Sequence, residues 1–222
     1  MSAPLDWYFD FVSPFAYLQW RRLRRDHPDV ALAPKPLLFA ALLDHVGQLG
    51  PAEIPAKRRH TYRIALWQAR ALGIPLRFPP AHPFNPLPAL RLCLAAPDRI
   101  AATDAIFSHL WEHGRAGGGL EALADVARAL GIGDPAAATA DDAVKQALRG
   151  NGEQARALGV FGVPTLCVPA ADGGQELFWG NDATGLALAY AQDPGTLDAE
   201  MRRLDALPAA VQRRRPAPAA TP

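Results

Sequence analysis

The sequence predicts an α/β fold in which two halves of one mixed sheet are separated along the chain by an all-helical insertion. Three observations lead there. The chain opens strand–helix–strand, it closes strand–turn–strand–helix, and the stretch between carries helical spacing without strand signals. The boundaries fall at 1–39 and 156–207 for the sheet domain, which is discontinuous, and at 40–155 for the insertion. Residues 208–222 form a tail. No repeat of solenoid or propeller period interrupts this order.

Residues 5–12 (LDWYFDFV) alternate and are rich in aromatic side chains, as a strand does. Ser13-Pro14 then combines an N-capping hydroxyl with a proline preset for the first helical position, so a helix starts there. Val30–Phe39 reads as a second extended segment whose prolines suit an edge strand. A strand–helix–strand unit implies parallel strands and a right-handed crossover. Residues 53–72 keep apolar positions at helical spacing, and the proline-rich link IPLRFPPAHPFNPLP after them cannot be helix interior. Further helical stretches lie near 86–96, 98–114, 119–130 and 139–157. Two short strands, 163–169 and 176–179, bracket the turn Ala171-Asp172-Gly173-Gly174, which is a hairpin signature. A helix over 182–206 closes the fold, and the Pro/Ala/Arg end has nothing to bury and is expected to be disordered.

Composition excludes several classes. With 23 basic against 22 acidic side chains, nothing electrostatic favours nucleic acid or an anionic membrane. The apolar runs fall far short of the roughly 20 residues a membrane span needs. The opening residues lack the basic and apolar segments of a secretion signal, so a soluble, cytoplasmic protein is expected. Cys93 and Cys167 form no CxxC pair and no metal-ligand spacing. One disulfide or two reduced, buried thiols are both open, and the second is the simpler reading.

Four places could carry chemistry. Ser13 stands at a helix N-terminus, where unpaired N–H groups and the helix dipole favour a negative charge; it is either a cap or a site for a ligand thiolate or carboxylate. Gly162-Val163-Pro164-Thr165 opens a strand with a candidate cis proline, leaving the Val163 main chain for an extended, peptide-like ligand. Asn181 or Asp182 either caps the last helix or receives an ammonium group. Lys57, in the run Lys57-Arg58-Arg59, is either a solvated face or an anchor for a carboxylate. His109 and His113 are four apart with Glu112 between, but without HExxH, so a surface placement and no metal are expected. No G-x-S-x-G, P-loop or G-x-G-x-x-G occurs.

The stretches DFVSPFAYL (10–18), PAKRR (55–59), LRFPPAHPFNPLPALRLCLA (76–95), GVFGVPTLCV (159–168) and FWGND (178–182) stand in one order. Together they resemble the 2-hydroxychromene-2-carboxylate isomerases and the related kappa-class glutathione transferases, within the DsbA-like thioredoxin superfamily. The likeness spans residues 5–205 or so. It implies a thioredoxin-like fold with an inserted helical domain. It also implies glutathione as the cofactor and an aromatic carboxylate as the small-molecule substrate, and it leaves a homodimer open.

In that family Ser13 takes the place of a redox cysteine, and its hydroxyl donates to the glutathione sulfur. A thiol of pKa about 8.5 would be lowered by such a donor at a helix N-terminus. The resemblance gives Val163, before Pro164, to the cysteinyl part of glutathione. It gives Asn181 and Asp182 to the γ-glutamyl end, and Lys57 to a carboxylate. Asn85 falls on the substrate side, and Phe15 and Tyr17, with Trp7, Tyr8 and the aromatic and proline residues around 78–88, would wall the aromatic group. Two positions depart from the pattern. Ala183 replaces a common arginine, and Gly47–Pro51 lacks an asparagine found in many members. The implied reaction is thiol-assisted cis–trans isomerisation of an aromatic 2-oxo acid. The alternatives are a kappa-type transferase or peroxidase and a non-catalytic binding protein.

Overall fold

A computed structural model describes residues 3–208 of the chain. Four strands form one mixed sheet in the order β2-β1-β3-β4. β1 (Leu5–Phe9) lies centrally, parallel to β2 (Leu32–Pro36) and antiparallel to β3 (Thr165–Pro169), and β3 pairs with β4 (Gln175–Trp179). Strands from the two ends of the chain therefore meet in one sheet, as expected for a thioredoxin-like fold.

Central placement explains why β1 is aromatic on both faces. Trp7 and Phe9 stack at 4.4 Å and pack with Trp20 and Phe107 on one side of the sheet. Tyr8 points to the other side, among Leu37, Leu42, Val160 and Cys167. The Trp7 indole donates to Gln19 Oε1 at 2.7 Å, and the Gln19 amide donates to Gly180 O and Thr184 Oγ1, both at 2.9 Å. A buried polar group thus ties the first helix to the turn after β4 and to Thr184 beyond it, with its amide fully paired.

β2 is an edge strand, and its prolines show how. Leu37 N donates to Phe9 O, and residues of the same parity, such as Lys35, face β1 with their amides. Pro34 and Pro36 take the alternate positions, where a missing N–H costs the ladder nothing.

Helix α1 (Pro14–Asp26) is followed, beyond β2, by α2 (Phe39–Val46), which the sequence reading missed; its own N-cap residue, Leu38, gives it no side-chain cap. α3 (Pro55–Leu72), α4 (Leu87–Ala95) and α5 (Arg99–Phe107) follow. A π-helical turn spans Ser108–Glu112, and α6 (Ala124–Ala129), α7 (Pro135–Ala140) and α8 (Asp142–Ala157) complete the block. Instead of one closing helix over 182–206 there are two, α9 (Thr184–Gln192) and α10 (Asp198–Asp205). Pro194-Gly195 and the left-handed Leu197 (φ 67°) break the run between them.

The helical block lies between β2 and β3 in the chain, yet it shares a core with the sheet. Leu90, Ile106, Phe107, Trp111 and Leu123 belong to one buried cluster with Trp7, Phe9 and Trp20. Two long-range bonds fasten this join: Trp111 Nε1 donates to Phe11 O at 2.8 Å, and Tyr17 Oη to Pro75 O at 2.6 Å. No helix among the described residues is long and apolar enough to cross a membrane. The expected disorder of the tail falls on residues 209–222, outside the described residues.

Candidate functional site

β1 ends at Phe9, three residues before the sequence suggests, because a side chain captures the backbone there. Asp10 is fully buried, and its Oδ1 accepts from Val12 N at 3.0 Å while Oδ2 accepts from Phe39 N at 2.8 Å. One carboxyl thereby joins the β1–α1 loop to the start of α2. Burial pushes its pKa up to about 7, against the two N–H bonds, which pull it down.

A cavity of about 320 Å³ opens over these loops. Asp10, Ser13, Phe15, Phe39 and Leu43 line it from the sheet side, Glu53 and Thr61 from the helical block, His82–Phe84 from the proline-rich link, and Val163 and Trp179 from the strands. Its wall is mostly apolar, and no lysine or arginine is among the lining residues.

Ser13 is the N-cap of α1: its backbone is extended (φ −90°, ψ 116°) and Oγ accepts from Ala16 N at 3.2 Å. The lone-pair side of the hydroxyl is engaged, which leaves the O–H proton to be given to a group in the cavity. Val163 joins Pro164 through a cis peptide, and no described residue hydrogen-bonds to the Val163 N–H or C=O. The start of α1, the Ser13 hydroxyl and the unpaired Val163 main chain thus all belong to residues that line this cavity. That arrangement stabilises an anion such as a thiolate.

The roof is aromatic. His82, also followed by a cis proline, packs edge-on against Tyr62, Phe78 and Trp111. Its Nε2 lies 2.8 Å from Val12 O and its Nδ1 2.9 Å from Tyr62 Oη. Burial, and secondarily the Arg58 charge, lowers its pKa below the ordinary imidazole value, against the pull of the Val12 carbonyl. At the mouth, Trp179 lies across Gly162, where a Cβ would collide with the indole, and meets Phe161 edge-on at 5.2 Å. Both rings are half exposed.

Of the residues singled out in the sequence, the cavity brings together Ser13, Phe15 and Val163, with Pro164 adjoining. Tyr17, Trp7 and Tyr8 do not wall it. All three are fully buried, and the Tyr17 hydroxyl is spent on Pro75 O. Lys57 is exposed at the first turn of α3, one turn before Thr61, outside the lining. Asn85 is exposed between Phe84 and Pro86 and bonds Leu87 N. Asn181 is buried with Nδ2 on Gln68 Oε1 at 3.2 Å, its Oδ1 has no partner, and Asp182 beside it is exposed. Neither caps α9, whose N-cap is Ala183.

His109, expected at the surface, is buried in the π-helical turn and bonded to Ala116 O. Among the described residues no three His, Cys, Asp or Glu side chains could hold a metal. Both cysteines are free and buried, and burial raises Cys93 to about 11 and Cys167 to about 12. Asp10 and His82 were missed as site residues. The bonds that give them their place, Asp10 to Phe39 N and His82 to Val12 O, span 29 and 70 residues, and no local pattern announces them.

Comparison with known proteins agrees with the thioredoxin-like fold. Residues 4–190 match the DSBA-like thioredoxin domain. A 2-hydroxychromene-2-carboxylate isomerase from Pseudomonas putida is 32% identical over 188 residues, covering 80% of this chain and 89% of the relative. A kappa 2 glutathione S-transferase from Caenorhabditis elegans is 27% identical over 183 residues, covering 75% of this chain and 81% of the relative. Among solved structures, a 2-hydroxychromene-2-carboxylate isomerase superposes with TM-score 0.73 at 25% identity, covering 91% of this chain and 99% of that one.

Proposed function

This chain belongs to the 2-hydroxychromene-2-carboxylate isomerase family of DSBA-like thioredoxin domains, and from that premise we propose that it isomerises a conjugated aromatic 2-oxo acid, cis to trans, with glutathione as cofactor. The observation that carries this reading is Ser13: a hydroxyl donor at a helix N-terminus, in the wall of an apolar cavity, with no cysteine beside it. A disulfide-exchanging site would need a thiol there. The thiol end of glutathione fits these residues, because donor, dipole and the open Val163 main chain favour a sulfur anion with an extended peptide behind it. When bound, the thiol supplies a nucleophile that adds reversibly to the conjugated double bond, so that bond rotates while single.

Ser13 holds the negative charge in place at the start and the end of that cycle. Phe15, Phe39, Phe84 and Trp179 exclude water and offer flat apolar surface to the substrate ring. With no cation in the wall, carboxylates of substrate or cofactor belong at the rim, where Lys57 stands one turn above Thr61. Asp182, exposed and three residues after the cavity residue Trp179, is the proposed contact for the γ-glutamyl ammonium, with Asn181 orienting that loop through Gln68. Asn85 is the proposed polar contact at the substrate end.

Ser13→Ala tests this. Pro14 still starts the helix, so the fold survives with a loss of about 1 kcal/mol. Losing a charge-assisted hydrogen bond worth about 1.5–3 kcal/mol should lower turnover at neutral pH about 10- to 100-fold, and raising the pH should recover part of it. Superimposable pH–rate profiles for wild type and variant, with glutathione saturating, would leave Ser13 as a cap alone. A second reading, glutathione transfer without return of the thiol, is favoured by the kappa-class relative. Conjugation of 1-chloro-2,4-dinitrobenzene faster than isomerisation would select it.

A further inference from the structure

We infer that His82 is a positioning residue for Ser13, holding the Val12–Ser13 peptide from the side opposite Asp10. This rests on the reading of Ser13 given above but is carried by different residues. Val12 belongs to no strand or helix, and side chains alone hold both its polar groups. Its N–H donates to Asp10 Oδ1 at 3.0 Å, and its C=O accepts from His82 Nε2 at 2.8 Å. The next residue is Ser13, whose own N–H is turned back onto Asp10 O at 3.1 Å. The direction in which Ser13 presents its hydroxyl is therefore set by a carboxyl from below and an imidazole from above.

The imidazole is itself fixed. A carbonyl can only accept, so Nε2 carries a proton, and in the neutral ring Nδ1 is the acceptor for the Tyr62 hydroxyl. Tyr62 Oη also lies 3.0 Å from the His82 carbonyl oxygen, so its one proton is shared between the ring and the backbone of this residue. Edge contacts with Phe78, Phe84 and Trp111 close the remaining sides. The charged and titratable groups around it are Arg58 and Tyr62 from α3 and Asp10 across Val12; the first opposes a second proton on the ring. A phenylalanine would satisfy the aromatic packing. Only a donor satisfies Val12 O, and a sub-ångström error in a catalytic group is costly to rate.

The experiment needs no glutathione. Ser13→Cys places a reporter thiol at the N-cap, and its pKa follows from the rate of iodoacetamide alkylation against pH; Cys93 and Cys167 are buried and do not interfere. In the Ser13→Cys background the pKa should lie below the ordinary thiol value of about 8.5. Adding His82→Phe should raise it, slowing alkylation at pH 7 about five- to tenfold, and His82→Gln should restore most of the loss. Equal pKa values in Ser13→Cys and Ser13→Cys/His82→Phe overturn the inference. If His82→Phe does not fold, Tyr62→Phe, which frees Nδ1, should shift the pKa in the same direction by less, and no shift again overturns it. A shift in a protein that binds no glutathione sinks the proposed function and leaves the positioning role standing. Coincident pKa values together with a glutathione-dependent rate that Ser13→Ala lowers about 10- to 100-fold do the reverse.

Discussion

Asp10 holds two backbone amides that lie far apart in sequence, and it does so from a site without solvent. Its carboxyl is raised from 3.8 to about 7, chiefly by burial. In the window between those values the folded chain binds a proton that the unfolded chain has lost, so stability must fall as pH rises. The contribution is fully present below about pH 4 and is gone above about pH 7, and it amounts to at most about 4 kcal/mol. Asp10→Asn removes this titration. It also turns an NH₂ group toward one of the two amides, which costs about 1–3 kcal/mol at every pH. Urea midpoints measured from pH 4 to pH 8 should decline for wild type and stay flatter for Asp10→Asn; parallel curves would refute the buried, proton-holding carboxyl.

Among the elements, β2 shows most directly how composition and position constrain each other. The amides of Ala33, Lys35 and Leu37 face β1, whereas Pro34 and Pro36 face outward, where Asn151 of α8 reaches Pro36 O at 2.9 Å. Lys35→Pro should therefore remove a ladder bond and destabilise by about 1–3 kcal/mol, whereas Pro34→Ala should change stability by less than about 1 kcal/mol. Chemical denaturation of the two variants decides it, and equal effects would contradict the register. The prolines made this strand legible as an edge, just as Ser13-Pro14 made α1 legible and the Gly pair made the hairpin legible. Each is a local device with a local cause. α2 was not legible, because Leu38 gives it no cap and its apolar face is satisfied by α8 and by residues around Tyr8. The break at Pro194-Gly195 was visible in the sequence, and the apolar spacing on either side masked it. In the site, Ser13 and Val163 could be read because their roles follow from strand and helix ends. Asp10 and His82 could not, since hydrogen bonds between distant segments give them theirs.

For the molecule as a whole, the division into a sheet domain and an inserted helical domain describes the path of the chain better than its energetics. Trp111, from the inserted block, packs with the β1 aromatics and closes its indole N–H on Phe11 O. Trp111→Phe should leave that carbonyl unpaired in the core and cost about 1–3 kcal/mol beyond the loss of ring area. Because the core is continuous, tryptophan fluorescence and far-ultraviolet circular dichroism should report one coincident unfolding transition in wild type. Two separated transitions would show that the helical block folds on its own.

The state of the two cysteines has a consequence for chemical durability. The substrates proposed for this site are Michael acceptors, which alkylate whatever thiolate they meet. Cys93 and Cys167 are buried and held protonated far above neutral pH, and the position at the helix start that could have lowered a thiol pKa carries Ser13 instead. The protein thus brings no competent nucleophilic sulfur of its own to the cavity. On the function proposed above, an electrophile entering it would be left to react with a diffusible thiol that can be replaced, and the catalyst would be spared self-inactivation by its own substrate.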